Sequence, residues 1–302
     1  MARQTRRASR KPLLLQTFWT GNPLGRLERA ALQSYVNQGY TVDIYTYLPI
    51  AEFKKQIPSR AHIRVHDARE ILPEEKIFEF TGRQEKGKRT DAYTFLPFSD
   101  LFRFTMLHKK GGTWMDADVF LIKPIPASIL KKPYVFSSER TIQKGAYKKK
   151  EPEIVDMGFI KVPGPKSELT TWILDHIPEK LDLKSPFDYM NLYRKGIEEL
   201  GLQKYVLPAK AFLPLNWWDV KESFGKDAGE NGKCYPEKYG TDPFCVDDLK
   251  GKDVYGVHWF RAILRKKGLP YERASNREYD NSLYEIMIDD IETEAGMKKN
   301  AL

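Results

Sequence analysis

Residues 99–122 read SDLFRFTMLHKKGGTWMDADVFLI. Leu101, Phe104, Met106 and Leu107 supply apolar faces at helical spacing, which predicts a helix over 97–110 stopped by Gly111 and Gly112. Asp100 and Arg103 stand three apart, on one face of that helix. Beyond the glycines, Asp116-Ala117-Asp118 leads into an apolar strand predicted over 117–122. If that segment is extended, alternation sets both carboxylates on one side of the backbone. Two carboxylates at the mouth of a buried strand repel each other, a costly arrangement unless a positive charge sits there. A hard divalent cation held by carboxylate oxygens is the natural partner. An isolated Asp-x-Asp is common and reads as a pair of turn acids. What gives it content here is the whole assembly: S-D-x-x-R, then G-G-x-x-x-D-x-D, then an apolar strand.

Outward from this run the chain alternates. A strand is expected over 13–19, a helix over 24–38 ended by Gly39, a strand over 41–47, a short helix over 50–57 and a strand over 62–66. That order begins a doubly wound α/β sheet. Further strands are expected over 134–138, 154–162, 205–207 and 254–258, with helices over 167–177, 186–200 and 279–294. No repeat or linker interrupts the pattern. The expectation is a single α/β domain over 12–302, preceded by a flexible basic tail at 1–11.

The 302 residues carry 50 Lys+Arg against 41 Asp+Glu, a net charge of +9. Five of the basic residues lie in 1–11, where there is no acid, so the rest of the chain holds only +4. A nucleic-acid partner is therefore less expected than the total suggests. The aromatic content of 13% argues against a disordered chain. No apolar run approaches the roughly 18 residues of a membrane span. Cys234 and Cys245 are too few for a disulfide framework; reduced thiols are the simplest expectation, with one bridge left open.

The central run resembles the DXD-containing sugar transferases, the group that includes α-1,4-galactosyltransferases, yeast-type α-1,6-mannosyltransferases and bacterial capsule and lipooligosaccharide transferases, with a core related to the clostridial glucosylating toxins. Gln16-Thr17-Phe18-Trp19-Thr20-Gly21 is similar to that group's opening strand, with Gln16 where His is frequent. Ser99 to Arg103 matches its S-D-x-x-R, and Gly112 to Asp118 its G-[IT]-[YW]-x-D-x-D. Val257-His258-Trp259 is similar to its late H-x-W element. The resemblance covers roughly residues 12–260. It implies a GT-A-like Rossmann-type sheet, Mn²⁺ or Mg²⁺, a nucleotide-sugar donor such as a UDP-hexose, and transfer with retention to a glycan or glycolipid.

On this resemblance, Asp118 is the direct metal ligand, His258 completes the coordination, and Asp116 binds the metal or the ribose. Asp100 and Arg103 hold sugar hydroxyls. Trp19 stacks on the base. Gln16, Thr17, Gly21, Trp114, Met115 and Trp259 complete the nucleotide-sugar site. Asp156 stands where the group often has Asn, and is a candidate to stabilise an oxocarbenium-like state. A bacterial enzyme in the cytoplasm, at the inner membrane face, is the matching location. Basic loops at 83–89, 144–150 and 261–267 offer contacts to an anionic membrane or acceptor.

Two motifs are decoys. Residues 82–89 nearly spell a phosphate-binding loop, but Arg89 replaces the Ser or Thr that would bind Mg²⁺. Asp116-x-Asp118 also resembles a phosphatase signature, but Phe120 stands where Thr or Val is needed, and Gly-Gly-Thr-Trp leads in where an apolar strand is required. The rival functions are a phosphoryl-transfer hydrolase with Asp116 as nucleophile and a non-enzymatic basic protein that binds nucleic acid.

Overall fold

β1 (Leu14–Phe18) sets the two faces of the sheet by alternation: Leu15 enters one apolar cluster and Phe18 the other. The computed structural model describes residues 13–20, 23–58, 61–79, 95–177, 185–272 and 281–296. The basic tail, Gly21 and the 83–89 segment lie outside the described residues. After β1 come α1 (Arg26–Asn37), β2 (Thr41–Thr46), α2 (Ile50–Phe53) and β3 (Ile63–Asp67). Gly39 adopts φ +84° just past α1. Its N–H donates to Val36 O, and the Tyr40 N–H donates to Tyr35 O, the paired bonds of a Schellman stop.

α3 (Leu96–Lys110) precedes β4 (Gly112–Met115), β5 (Val119–Leu121), α4 (Ala127–Leu130), β6 (Val135–Arg140) and β7 (Glu153–Val162). α5 (Glu168–Asp175) and α6 (Asp188–Glu199) follow, then β8 (Cys234–Tyr235), β9 (Phe244–Cys245), β10 (Gly256–His258), α7 (Arg261–Lys266) and α8 (Leu283–Glu294). The main sheet has the order β3-β2-β1-β4-β7-β6. β3, β2, β1 and β4 run parallel, and β7 is antiparallel to both its neighbours. This is the Rossmann-type α/β sheet that the sequence implied.

α1 covers one face over Leu15, Val42, Ile44 and Met115, and α8 packs against α1. α3, α5 and α6 cover the other, where Phe18 stacks on Phe102 at 4.0 Å. β1 and β4 are neighbours, but the chain leaves β1 toward β2 on the opposite side. The crevice beyond their carboxyl ends is therefore the switch point where α/β sheets bind ligands.

Several expectations need correction. The strand expected over 117–122 is β5, and a further strand that was not expected, β4 at Gly112–Met115, leads into the acids. Asp116 and Ala117-Asp118 form the turn after it, so the two carboxylates do not ride one extended strand. β5 leaves the main sheet to pair antiparallel with β10. The phosphatase signature was set aside partly because no strand led into the acids; β4 removes that ground. The 205–207 strand is a 3₁₀ turn at Gln203–Tyr205 with one bridge from Val206 to Phe136. The basic loop expected at 261–267 is largely the helix α7. Cys234 and Cys245 are not thiols but a disulfide that closes the β8–β9 hairpin. Among the described residues, no helix is long and apolar enough to cross a membrane.

Candidate active site

The site is built at the switch point by strands of the sheet and the helices beside them. The sharp passage from α3 to β4 needs glycine. Gly111 and Gly112 have φ +67° and +86°, and a Cβ on Gly111 would lie 2.3 Å from the Gly164 backbone. That turn brings α3 alongside the end of β4. Arg103 then spans two acids: its Nη1 donates to Asp100 Oδ1 at 2.9 Å and its Nη2 to Asp116 Oδ1 at 2.7 Å. The Trp114 indole N–H donates to the same Asp116 oxygen at 2.6 Å, and the Arg103 guanidinium lies 4.9 Å from the Trp114 ring. Asp116 is thus oriented from behind by two side chains, Arg103 and Trp114.

Asp118 is held from the other side. The backbone N–H of Arg261 donates to Oδ2 at 2.8 Å, and His258 Nε2 stands 3.2 Å from Oδ1. His258 Nδ1 is 3.8 Å from Asp156 Oδ2, which accepts from the Gly158 N–H at 2.7 Å and the Ser137 hydroxyl at 3.1 Å. A Cβ on Gly158 would sit 2.9 Å from Asp156 Oδ2 and 3.1 Å from His258 Nδ1, so glycine there lets the imidazole approach. Phe260, in the left-handed region at φ 50°, stacks on His258 at 4.3 Å.

The electrostatics follow from crowding. Burial pushes Asp100 up to about 7 against the pull of Arg103. Burial likewise raises Asp116 despite Arg103. Asp118 goes the other way: burial would raise it, but His258 and the Arg261 N–H hold it below the usual range. Burial opposes charge on His258, yet Asp118, Asp156 and Asp116 carry it up to about 9. Ligand atoms of Asp116, Asp118 and His258 all lie within 4.8 Å of one another. Two carboxylates and an imidazole at that spacing suit a hard or borderline divalent ion such as Mn²⁺ or Mg²⁺. The excess of acids in the cluster is a charge that such an ion would balance.

A cavity of about 410 Å³ is lined by Thr17, Trp19, Ser99, Trp114, Asp116 and Asp118, among others. Thr17 Oγ1 is buried with no partner among the described residues. Arg261 lies 4.7 Å from the Trp19 ring, and its Nε is 2.5 Å from Glu28 Oε1, a fully buried carboxylate of α1. A second cavity of about 810 Å³ meets the first at Arg103, Asp116, Asp118 and Arg261 and extends past Asp156 and His258 to Glu139 and Arg194.

Thr17, Trp19, Asp100, Arg103, Trp114, Asp116, Asp118, Asp156 and His258 are therefore brought together. Asp100 is fully buried behind Arg103, with Oδ2 unpartnered, and supports Asp116 rather than facing the cleft broadly. Three residues are not brought to the cleft. Gln16 donates to Gly111 O at 2.8 Å and lines a different cavity. Met115 is fully buried in the core under α1. Trp259 is fully buried too, packed against Phe120, Phe224 and Tyr284. In each case the opposite face of a strand or the turn of the chain, invisible in a motif, carries the side chain inward. Sequence reasoning missed Glu28, Glu139, Gly158, Arg194 and Arg261. Only Arg261, two residues beyond the His-Trp pair, carried a local hint.

Residues 85–155 match the family described as capsular polysaccharide synthesis protein. No curated protein matches the chain. Among solved structures, PaToxG glycosyltransferase aligns at 13% identity over 92% of this chain and 87% of that one, with a TM-score of 0.41. The WbbM bifunctional glycosyltransferase aligns at 12% identity over 93% of this chain and 51% of that one, with a TM-score of 0.40. The family match falls on the segment that carries Asp100, Arg103, Asp116 and Asp118.

Proposed function

We propose that the protein moves a hexose from a nucleoside diphosphate donor, UDP-linked, to a glycan hydroxyl in surface polysaccharide synthesis, with a divalent ion held by Asp116, Asp118 and His258. The observation that carries this reading is the Asp116–Asp118–His258 cluster at the β1–β4 crevice, beside Trp19. When bound, the ion supplies positive charge against the negative charge that develops on the leaving diphosphate. Arg103 and Trp114 fix Asp116, and the Arg261 N–H fixes Asp118, so the ligand geometry is set before substrate arrives. Trp19 offers a ring face to the base.

In the retaining course, the bond from the anomeric carbon to the phosphate oxygen breaks. A bond to the acceptor oxygen forms on the same face, and the acceptor proton passes to the departing phosphate oxygen. Asp156, immobilised by Gly158 and Ser137, stabilises the positive charge that grows at the anomeric carbon.

The test is a screen of nucleoside diphosphate hexoses with Mn²⁺, reading released nucleotide, for the wild type and Asp118→Ala. We expect at least one donor to be consumed and the variant to lose about 10³-fold, in line with removal of a major electrostatic stabiliser. Full turnover by Asp118→Ala, or hydrolysis of an aryl phosphate in place of any sugar donor, would overturn the assignment.

A further inference from the structure

The larger cavity extends well beyond what a donor needs. The nucleotide side of the crevice has its own cavity at Trp19, and the two meet at the carboxylates. At the far end of the larger one, Glu139 closes β6 and Arg194 projects from α6. Arg194 Nη2 donates to Glu139 Oε1 at 3.0 Å, and its Nε donates to Val155 O at 2.9 Å. The pair is partly exposed, 19% for Glu139 and 25% for Arg194. Among the described residues, Glu139 Oε2 and Arg194 Nη1 make no hydrogen bond. The pair uses one Glu139 oxygen and one terminal Arg194 nitrogen on each other, and so still offers one acceptor and one donor.

An aromatic wall completes this end. Trp217 lines the same cavity and packs edge-on against Trp218, ring centres 5.1 Å apart. The chain just before it is tied down by Arg140, the neighbour of Glu139, whose Nη1 donates to Leu213 O at 3.2 Å and Pro214 O at 3.0 Å. The indole is thus held by a rigid segment rather than a free loop. A flat apolar ring and a donor–acceptor pair in the walls of one cavity match a pyranose ring, which presents an apolar face to the indole and hydroxyls at its rim.

We infer that the Glu139–Arg194–Trp217 end of the cavity binds the acceptor as an uncharged hexopyranoside ring, one subsite removed from the carboxylate cluster. This rests on the glycosyltransferase reading above, since it takes the transferred sugar to lie at that cluster. Glu139 and Arg194 are binding residues in this assignment.

The experiment uses the full chain and three probes, the methyl galactoside, glucoside and mannoside, with saturation-transfer NMR to report binding without turnover. At least one should bind the wild type at millimolar concentration, and Glu139→Gln and Arg194→Met should each weaken it tenfold or more. Asn191 of α6 lines the same cavity; Asn191→Ala and Trp217→Phe, milder changes there, guard against loss of fold and should each weaken binding at least twofold. With a donor that the wild type consumes, the ratio of transfer to donor hydrolysis should fall tenfold in Glu139→Gln. Binding that survives all four substitutions overturns the subsite. So does a wild type that releases nucleotide but binds none of the three glycosides. A wild type that binds glycosides through Glu139 yet releases nucleotide from no donor would instead uphold the subsite and sink the glycosyl-transfer reading.

Discussion

The two ends of β1 open onto separate cavities, and their acids are treated oppositely. Near the amino end, a cavity of about 460 Å³ holds Asp43, whose carboxylate meets Arg64 at 2.6 Å and His66 at 3.0 Å. One acid there has two possible cationic partners. Beyond the carboxyl end, Asp100, Asp116, Asp118 and Asp156 share Arg103 and His258. The first arrangement is complete and asks for nothing. The second is crowded with negative charge, which burial makes more costly and which an added cation would relieve. Polar residues line the cavities at both ends; the balance of charge is what distinguishes the ends.

The largest contrast should come from activity. Asp118→Ala is expected to lose donor turnover about 10³-fold, whereas Asp43→Asn, the last and smallest effect in this series, should stay within about twofold in the same nucleotide-release assay, a change of at most about half a kcal/mol in barrier. Comparable losses at both positions would erase the distinction. Next is Arg103→Met, which strands Asp100 and Asp116 without their shared cation. Urea unfolding should show a loss of about 3–5 kcal/mol, the range for breaking a buried ion pair from one side. A loss under about 1 kcal/mol would show that the acids do not depend on it.

Glu28 tests how charge is held beneath the Trp19 cavity. Burial pushes its carboxyl up to about 7 from an ordinary 4.5, with Arg261 opposing. The folded state then keeps a proton that the unfolded chain has released. Its contribution is therefore full below pH 4.5 and declines as pH rises through 7, by up to about 3 kcal/mol. Asp100 and Glu139, each pushed to about 7, act in the same direction. Glu28→Gln should flatten the fall of Tm between pH 4.5 and 7, and unchanged slopes would refute this. Smaller still is Trp19→Ala. Loss of base stacking, worth roughly 0.5–1.5 kcal/mol, should weaken UDP binding up to about tenfold by calorimetry. An unaltered Kd would move the base elsewhere.

Much of this was legible in the residues. The apolar alternation over 13–66 and Gly39 gave the order of the parallel half of the sheet, and β1 to β3 fall within two residues of the expected bounds. The S-D-x-x-R and D-x-D spacing gathered Asp100, Arg103, Asp116 and Asp118 correctly, because a helix face and the turn after a strand are local geometries. Gln16, Met115 and Trp259 went astray because a motif says which residues are near, not which side of the strand they leave from.

Local chemistry, then, is what the chain of residues dictates: which segments alternate, where glycine must turn the backbone, and which acids lie close enough to repel. Long-range pairing is decided elsewhere. His258 reaches Asp118 across 140 residues only because β10 pairs with β5. Glu28 finds Arg261, and Glu139 finds Arg194, because α1 packs beside the crevice and α6 packs on β7. No local spacing encodes such meetings, since they form when the apolar faces of distant elements are buried together.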